Sequence, residues 1–147
     1  MIVDNHFIAH QNVASKYYRF TPEEIGFAVK DFQETLNQYD FHADGRMFFS
    51  ILSDPTSELM DAEIFLSISE DRFEIPEKEQ INFRSYFFIK PMIMTRIIDD
   101  FNEQSQVKYW ELVRYMEQNR MKQKTPVFVE FKTSLSGRGY VEMSVGV

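Results

Sequence analysis

Three glutamates stand in runs that are otherwise strand-forming and apolar. Glu63 lies in Met60-Asp-Ala-Glu-Ile-Phe-Leu-Ser-Ile68, Glu130 in Thr125-Pro-Val-Phe-Val-Glu-Phe131, and Glu142 in Tyr140-Val-Glu-Met-Ser-Val-Gly-Val147. Successive side chains of a strand point to opposite faces. Val141, Met143, Val145 and Val147 therefore share one face, and Tyr140, Glu142, Ser144 and Gly146 the other. Val127, Val129 and Phe131 separate in the same way from Phe128, Glu130 and Lys132. So do Ala62, Ile64, Leu66 and Ile68 from Asp61, Glu63, Phe65 and Ser67, and Met47, Phe49 and Ile51 from Phe48, Ser50 and Leu52. One face is a dry aliphatic layer. The other gathers Phe48, Glu63, Phe65, Phe128, Glu130, Tyr140 and Glu142. Rings with a few acids suit a concave small-molecule site, with aromatic walls for area and a carboxylate for charge or orientation. The same composition also fits a solvated sheet face carrying cross-strand Glu–Lys or Glu–Arg pairs.

Other chemistry is sparse. His6 and His10 have the i, i+4 spacing that binds zinc on a helix. Their segment reads as a strand, which sets them roughly 13 Å apart at about 3.3 Å per residue, so they are expected at a surface or an edge and no metal site is assigned. There is no cysteine, which excludes disulfide scaffolds, thiolate metal sites and cysteine nucleophiles. No Gly-x-Ser-x-Gly elbow and no phosphate-binding glycine loop is present. Asp99, Asp100 and Glu103 precede a helix, where the positive end of its dipole favours acids. Arg114, Arg120, Lys122 and Lys124 lie near its other end. No cofactor and no catalytic residue is assigned.

The elements that must position the glutamates repeat in order. Residues 1–69 read strand, helix, strand, strand. A charged connector follows at 70–82, and residues 83–147 repeat the order within one domain, 1–147. Thr21-Pro22-Glu23-Glu24 is a helix start, with Thr as cap, Pro at the first position and Glu to complete a capping box. Ile25, Ala28, Val29, Phe32, Leu36 and Tyr39 then mark one helical face. In the second half, Asn102 or Ser105 is expected to cap a helix running to about Lys122. Pro91 is expected to break or bulge the strand 83–98. Glu63 and Glu142 fall at the same point of the repeat. The expected fold is α+β: two βαββ repeats, an antiparallel sheet layer, two helices on one face, and a central cleft on the other.

Composition narrows the function classes. The 147 residues are 44% hydrophobic and 27% charged, in the range of a folded domain. Sixteen basic residues against 23 acidic give a net charge of −7, which argues against a nucleic-acid surface. The longest apolar stretch, Tyr86–Met94, is interrupted by Lys90 and Pro91 and is far short of the roughly 20 residues of a membrane helix. With no basic, apolar leader at the N-terminus, a cytoplasmic location and no membrane partner are expected. Aromatic residues reach 16%, more than a core of this size ordinarily needs, so some are expected to line a cavity.

The βαββ–βαββ order, the Asp54-Pro55 loop, the strand 60–68 and the terminal Tyr140–Val147 run together resemble the gyrase-inhibitor-like (GyrI-like) small-molecule-binding superfamily. Its members include effector-binding domains appended to AraC-type and MerR-type regulators, and free-standing bacterial proteins. Gly146 stands where that family usually has Pro. The resemblance implies a cleft between the repeats that takes amphipathic, often cationic, compounds. It places Glu142 or Glu130 against the charge. Some relatives hydrolyse strained electrophiles with an acid and a Trp; Trp110 here falls on the second helix, where packing is its expected role. No DNA-reading segment precedes the fold, so a complete regulator is not expected. The chain is also similar to small Gram-positive proteins, some of which accompany secreted-toxin gene clusters.

The leading expectation is thus a non-catalytic binder of a small amphipathic or cationic molecule. The alternatives are an interaction protein, paired with a toxin-cluster protein or with a second copy of itself, and a small hydrolase. If Glu142 faces the ligand, Glu142→Gln weakens binding of lipophilic cations. Equal ligand-induced thermal shifts in variant and wild type would count against that placement.

Overall fold

The computed structural model describes residues 1–147. The strands are β1 (Val3–Phe20), β2 (Ala43–Ile51), β3 (Met60–Ile68), β4 (Asn82–Ile97), β5 (Val127–Thr133) and β6 (Gly139–Gly146). Two helices, α1 (Ile25–Gln38) and α2 (Phe101–Gln118), follow β1 and β4. Every strand pairing is antiparallel, and the order β1-β3-β2-β5-β6-β4 closes back on β1 as a barrel. With β4, β6 and β5 standing for β1, β3 and β2, the order reads the same from either end. The α+β class with two βαββ units is therefore observed. No helix is long and apolar enough to cross a membrane.

Closure depends on the two long strands. The C-terminal half of β1 (13–20) pairs with β3, and β4 from Met92 to Ile97 pairs with β6. On their other edges the two strands pair with each other over residues 3–15 and 82–94, Ile8 opposite Ile89 and His10 opposite Phe87. This β1–β4 ribbon lies across the aromatic side of the sheet. Pro91 marks where β4 passes from the ribbon to β6, consistent with a residue that cannot donate to a ladder. At Asn12, φ is +54°, a left-handed conformation that Asn tolerates better than most residues. The alternation of β1 changes phase there, so that Ile8 and Val13 both enter the interior cluster.

The helix starts differ in fidelity to expectation. Before α1 a 3₁₀ turn (Pro22–Glu24) runs into the helix, and Thr21 donates both its backbone N–H (3.0 Å) and its hydroxyl (2.9 Å) to Glu24 Oε1. For α2 the cap is Asp100, at φ +51°, rather than Asn102 or Ser105. The helix also stops at Gln118, short of Lys122. Arg120 then adopts φ +54°, and the Asn119 side-chain amide donates to the Tyr115 carbonyl at 2.9 Å, a local closure that ends a helix.

The aliphatic faces form the main core with the helices. Phe49, Ile51, Ala62, Ile64, Leu66, Val127, Val129, Val141, Met143 and Val145 meet Ala28, Phe32 and Leu36 of α1 and Leu112 and Met116 of α2. The fully buried residues of α2 all lie in its C-terminal half, and Phe101 and Tyr109 of its N-terminal half are only partly buried against the core.

Gly146 packs where no side chain fits. A Cβ there would sit 2.6 Å from Thr125 Cγ2 and 3.1 Å from its Oγ1, and the Gly146 N–H donates to that oxygen at 2.8 Å. Gly146→Ala is expected to cost about 1–3 kcal/mol by overpacking. Adding Thr125→Ser, which removes the closest methyl and keeps the acceptor, should restore most of that loss in urea unfolding.

Candidate functional site

Alternation along β2, β3, β5 and β6 turns Phe48, Glu63, Phe65, Phe128, Glu130, Tyr140 and Glu142 to one side, as the strand pattern predicts. The structure then covers that side. Phe48 and Phe65 stack at 4.6 Å between ring centroids, and both lie within 6.3 Å of Phe128. Phe87 of β4 closes on all three rings, and His10 stacks on Phe48 at 4.8 Å. Ile8, Val13 and Met92 complete a buried cluster. The hollow on this face is therefore the barrel interior, packed with rings in its middle and open at one mouth, where a cavity of about 420 Å³ is bordered by His10, Glu130, Lys132 and Tyr140. Its cause is the β1–β4 ribbon, whose path depends on the bend of two long strands and not on any short-range pattern. Tyr140, half-buried, sits at one mouth.

The glutamates are buried and paired. Glu130 and Glu142 are register partners on β5 and β6, so two carboxylates face each other directly. Arg96 Nε donates to Glu142 Oε2 at 2.8 Å, and Lys132 Nζ lies 2.6 Å from Glu142 Oε1 and 4.0 Å from Glu130. His6 Nε2 is 3.2 Å and His10 Nε2 3.7 Å from Glu130. Both histidines thus point inward, in place of the expected surface or edge position. The alternation His6-Ile8-His10 carried that signal, since all three lie on one side of β1. At the other mouth Glu63 accepts from Ser15 Oγ at 2.6 Å and from Arg84 at 3.5 Å. Arg84 also lies 5.6 Å from the centres of the Phe65 and Phe87 rings. Burial alone would raise the Glu130 pKa, but the His10 and His6 contacts and the Lys132 charge outweigh it and lower it to about 2. Burial likewise opposes ionisation of Glu142, and Lys132 and Arg96 reverse that, holding its carboxyl below the usual range.

A second space lies on the opposite face of the same strands. A crevice of about 440 Å³ opens between the helix starts, within the range of small-molecule sites. Its floor is Phe49, Ile51, Val129 and Met143, drawn from both repeats. Its walls are Thr21-Pro22-Glu23, the loop from Pro55 to Met60, and Phe101, Asn102, Ser105, Gln106 and Tyr109 of α2. It exists because the N-terminal half of α2 has no fully buried residue, Phe101 and Tyr109 being only partly buried against the core. No Lys or Arg lines it, whereas Glu23 and Glu58 do. Trp110 lies outside the lining, half-exposed, edge-on to Tyr109 at 5.2 Å. Sequence periodicity marked the floor residues as core. A gap between helix and sheet has no counterpart in residue spacing.

Depressed carboxylate pKa values stabilise the fold above the ordinary carboxylate range and lose that contribution as pH falls. For Glu130, a fall from 4.5 to about 2 is worth about 3 kcal/mol at neutral pH. The contribution is complete above about pH 5 and declines as pH drops toward 2. Glu130→Gln should lower stability at pH 7 and flatten the acid limb over that window, as followed by thermal melts at stepped pH.

The fold has counterparts among solved structures. The crystal structure of the EcmrR C-terminal domain superposes with a TM-score of 0.64 at 11% identity, covering 97% of this chain and 95% of that one. A cryo-EM structure of an EcmrR–DNA complex gives a TM-score of 0.71 at 12% identity, covering 97% of this chain and 56% of the EcmrR chain. The chain thus spans little more than half the length of that EcmrR chain. No curated protein matches the sequence. The family model described as "Domain of unknown function (DUF5085)" matches residues 9–147, and the chain belongs to that family.

Proposed function

We propose that this chain is a small-molecule-binding domain that takes a neutral or cationic amphipathic ligand in the crevice between the helix starts. The observation that carries the proposal is the crevice itself. It has an apolar floor built by both repeats, hydroxyl and amide groups around it, two acids and no base. Apolar floor area supplies the driving force. The acids favour a cation, and an anion would lose hydration with no partner in return. The shared fold with the C-terminal domain of EcmrR, a protein also seen on DNA, is consistent with a sensing module. None of the proposed contacts requires a catalytic group.

A second reading is favoured by one feature. Phe7, Tyr86 and Phe88 form a run of touching rings on the outside of the β1–β4 ribbon, each about half exposed. Such a patch suits a protein partner or a second copy of the chain. Light scattering that shows a monomer unaffected by Phe88→Ser would remove the support for self-association.

Tetraphenylphosphonium is the first probe of the crevice, with anilinonaphthalene sulfonate as the anionic control. The cation should bind and the anion should not. Ser105→Trp, which fills the crevice, should abolish binding in calorimetry. Glu58→Gln should weaken it by about two- to fivefold, as expected for an exposed charge. Glu142→Gln acts on the opposite face and should leave the affinity of the folded protein unchanged. Loss of binding in Glu142→Gln with retention in Ser105→Trp would move the site into the barrel and overturn the crevice reading.

A further inference from the structure

The interior ionic cluster holds more ligating groups than two buried carboxylates need. His6, Glu130 and Glu142 each present one donor atom, and the three atoms lie within 4.8 Å of one another. His10 Nε2 stands next to this group, 3.7 Å from the second Glu130 oxygen, Oε2. Ligand atoms at about 2.0–2.1 Å from a tetrahedral zinc stand about 3.3–3.4 Å apart. The 3.2 Å separation of His6 Nε2 from Glu130 Oε1 is close to that spacing, and His10 approaches the same carboxylate from its other oxygen at 3.7 Å.

We propose that His6, His10, Glu130 and Glu142 form a site for a divalent transition metal of the zinc class, which enters by exchange with the Lys132 ammonium. In the structure that ammonium sits 2.6 Å from Glu142 and 4.0 Å from Glu130, as countercharge to the facing carboxylates. Its side chain is 38% exposed, against 5% for Glu130 and 3% for Glu142. Lys132 can therefore withdraw to solvent at the barrel mouth while the carboxylates cannot. Arg96 holds Glu142 Oε2 and leaves Oε1 for the metal once Lys132 has gone. A guanidinium on the second oxygen of a ligating carboxylate fixes its orientation, as outer-sphere partners do. Two imidazoles and two carboxylates suit zinc, cobalt or nickel, whereas magnesium and calcium prefer all-oxygen sets. A cavity of about 420 Å³ bordered by His10, Glu130, Lys132 and Tyr140 gives the ion its route in. The site lies on the opposite face of the sheet from the crevice and stands independently of it.

The test uses the full chain, stripped with a chelator and titrated with zinc chloride in calorimetry and thermal melts, with magnesium chloride as control. Zinc should bind and raise the melting temperature; magnesium should not. His6→Ala and His10→Ala should each weaken zinc binding at least about tenfold, the scale of losing a metal-site group. Lys132→Met, which removes the incumbent cation, should tighten it by about tenfold. Without metal Lys132→Met is less stable in either case, since Lys132 is the countercharge to the carboxylates; a purely structural ion cluster predicts no gain in zinc affinity. If a histidine variant does not fold, the cobalt(II) spectrum of the wild type decides, since a tetrahedral site gives an intense visible band and an octahedral surface site a faint one. No zinc binding, equal binding in the folded His6→Ala and His10→Ala variants, no tightening in Lys132→Met, or a faint cobalt band overturns the proposal.

Discussion

Glu130 and Glu142 face each other across β5 and β6 inside the barrel, and the architecture is organised around that repulsion. Like charges directly opposite on a sheet are unfavourable, and burial without partners makes them far more so. β5 supplies one counterion, Lys132. His6 and His10 come from β1 and Arg96 from β4, and both of those strands belong to the ribbon. Closing the barrel and balancing the charge are therefore one event. The first repeat does without this device. Ser50 occupies the register position opposite Glu63 that Glu130 occupies opposite Glu142, and Ser15 with Arg84 is enough for Glu63.

The same closure explains why most of the aromatic face is packed and opens only at its mouth. An open sheet with aromatics on one side would leave a hollow there. The ribbon fills it with Phe87, Ile8, Val13 and Met92, and the rings pack at interior distances. α1 is held along its length by Ala28, Phe32 and Leu36, whereas the buried residues of α2 lie in its C-terminal half. Leu112 and Met116 anchor α2, and Tyr115 ties it to the start of β1 through Asp4 at 2.8 Å. Phe101 and Tyr109 pack against the core only in part. The gap lies where this half of α2 is incompletely packed on the sheet.

Much of this was legible in the residues, because it depends on short-range rules. Period-two alternation assigned each of β2, β3, β5 and β6 its core face, and Thr21-Pro22 with Glu24 marked the start of the first helix. What escaped depends on distance in the chain. Glu130 and His6 are 124 residues apart, and no local pattern states that they meet. The phase change at Asn12 lies in one backbone angle, and Asn is common enough in loops that its presence signals little. The α2 cap escaped for a related reason. Asp100 adopts the left-handed conformation, so it offers no side-chain capping bond, while Asn102 and Ser105 are better caps by type but lie within the first turns.

Successive residues of the same strands serve the two compartments. Phe48 and Phe49, Val129 and Glu130, and Glu142 and Met143 point to opposite sides of one sheet. The crevice floor is thus fixed from behind by ring stacking and by an ionic cluster that resists displacement, because moving β5 against β6 would expose an unpaired buried charge. The walls have no such restraint. The N-terminal half of α2 has no fully buried side chain, and the loop from Leu52 to Leu59 contributes none either. Binding costs arise from ordering what was free; here that cost falls on the walls alone. On the proposed crevice reading, the floor would supply affinity through apolar area common to many ligands, and the walls, carrying Glu23, Glu58, Tyr109 and the hydroxyl groups, would decide which of them fit.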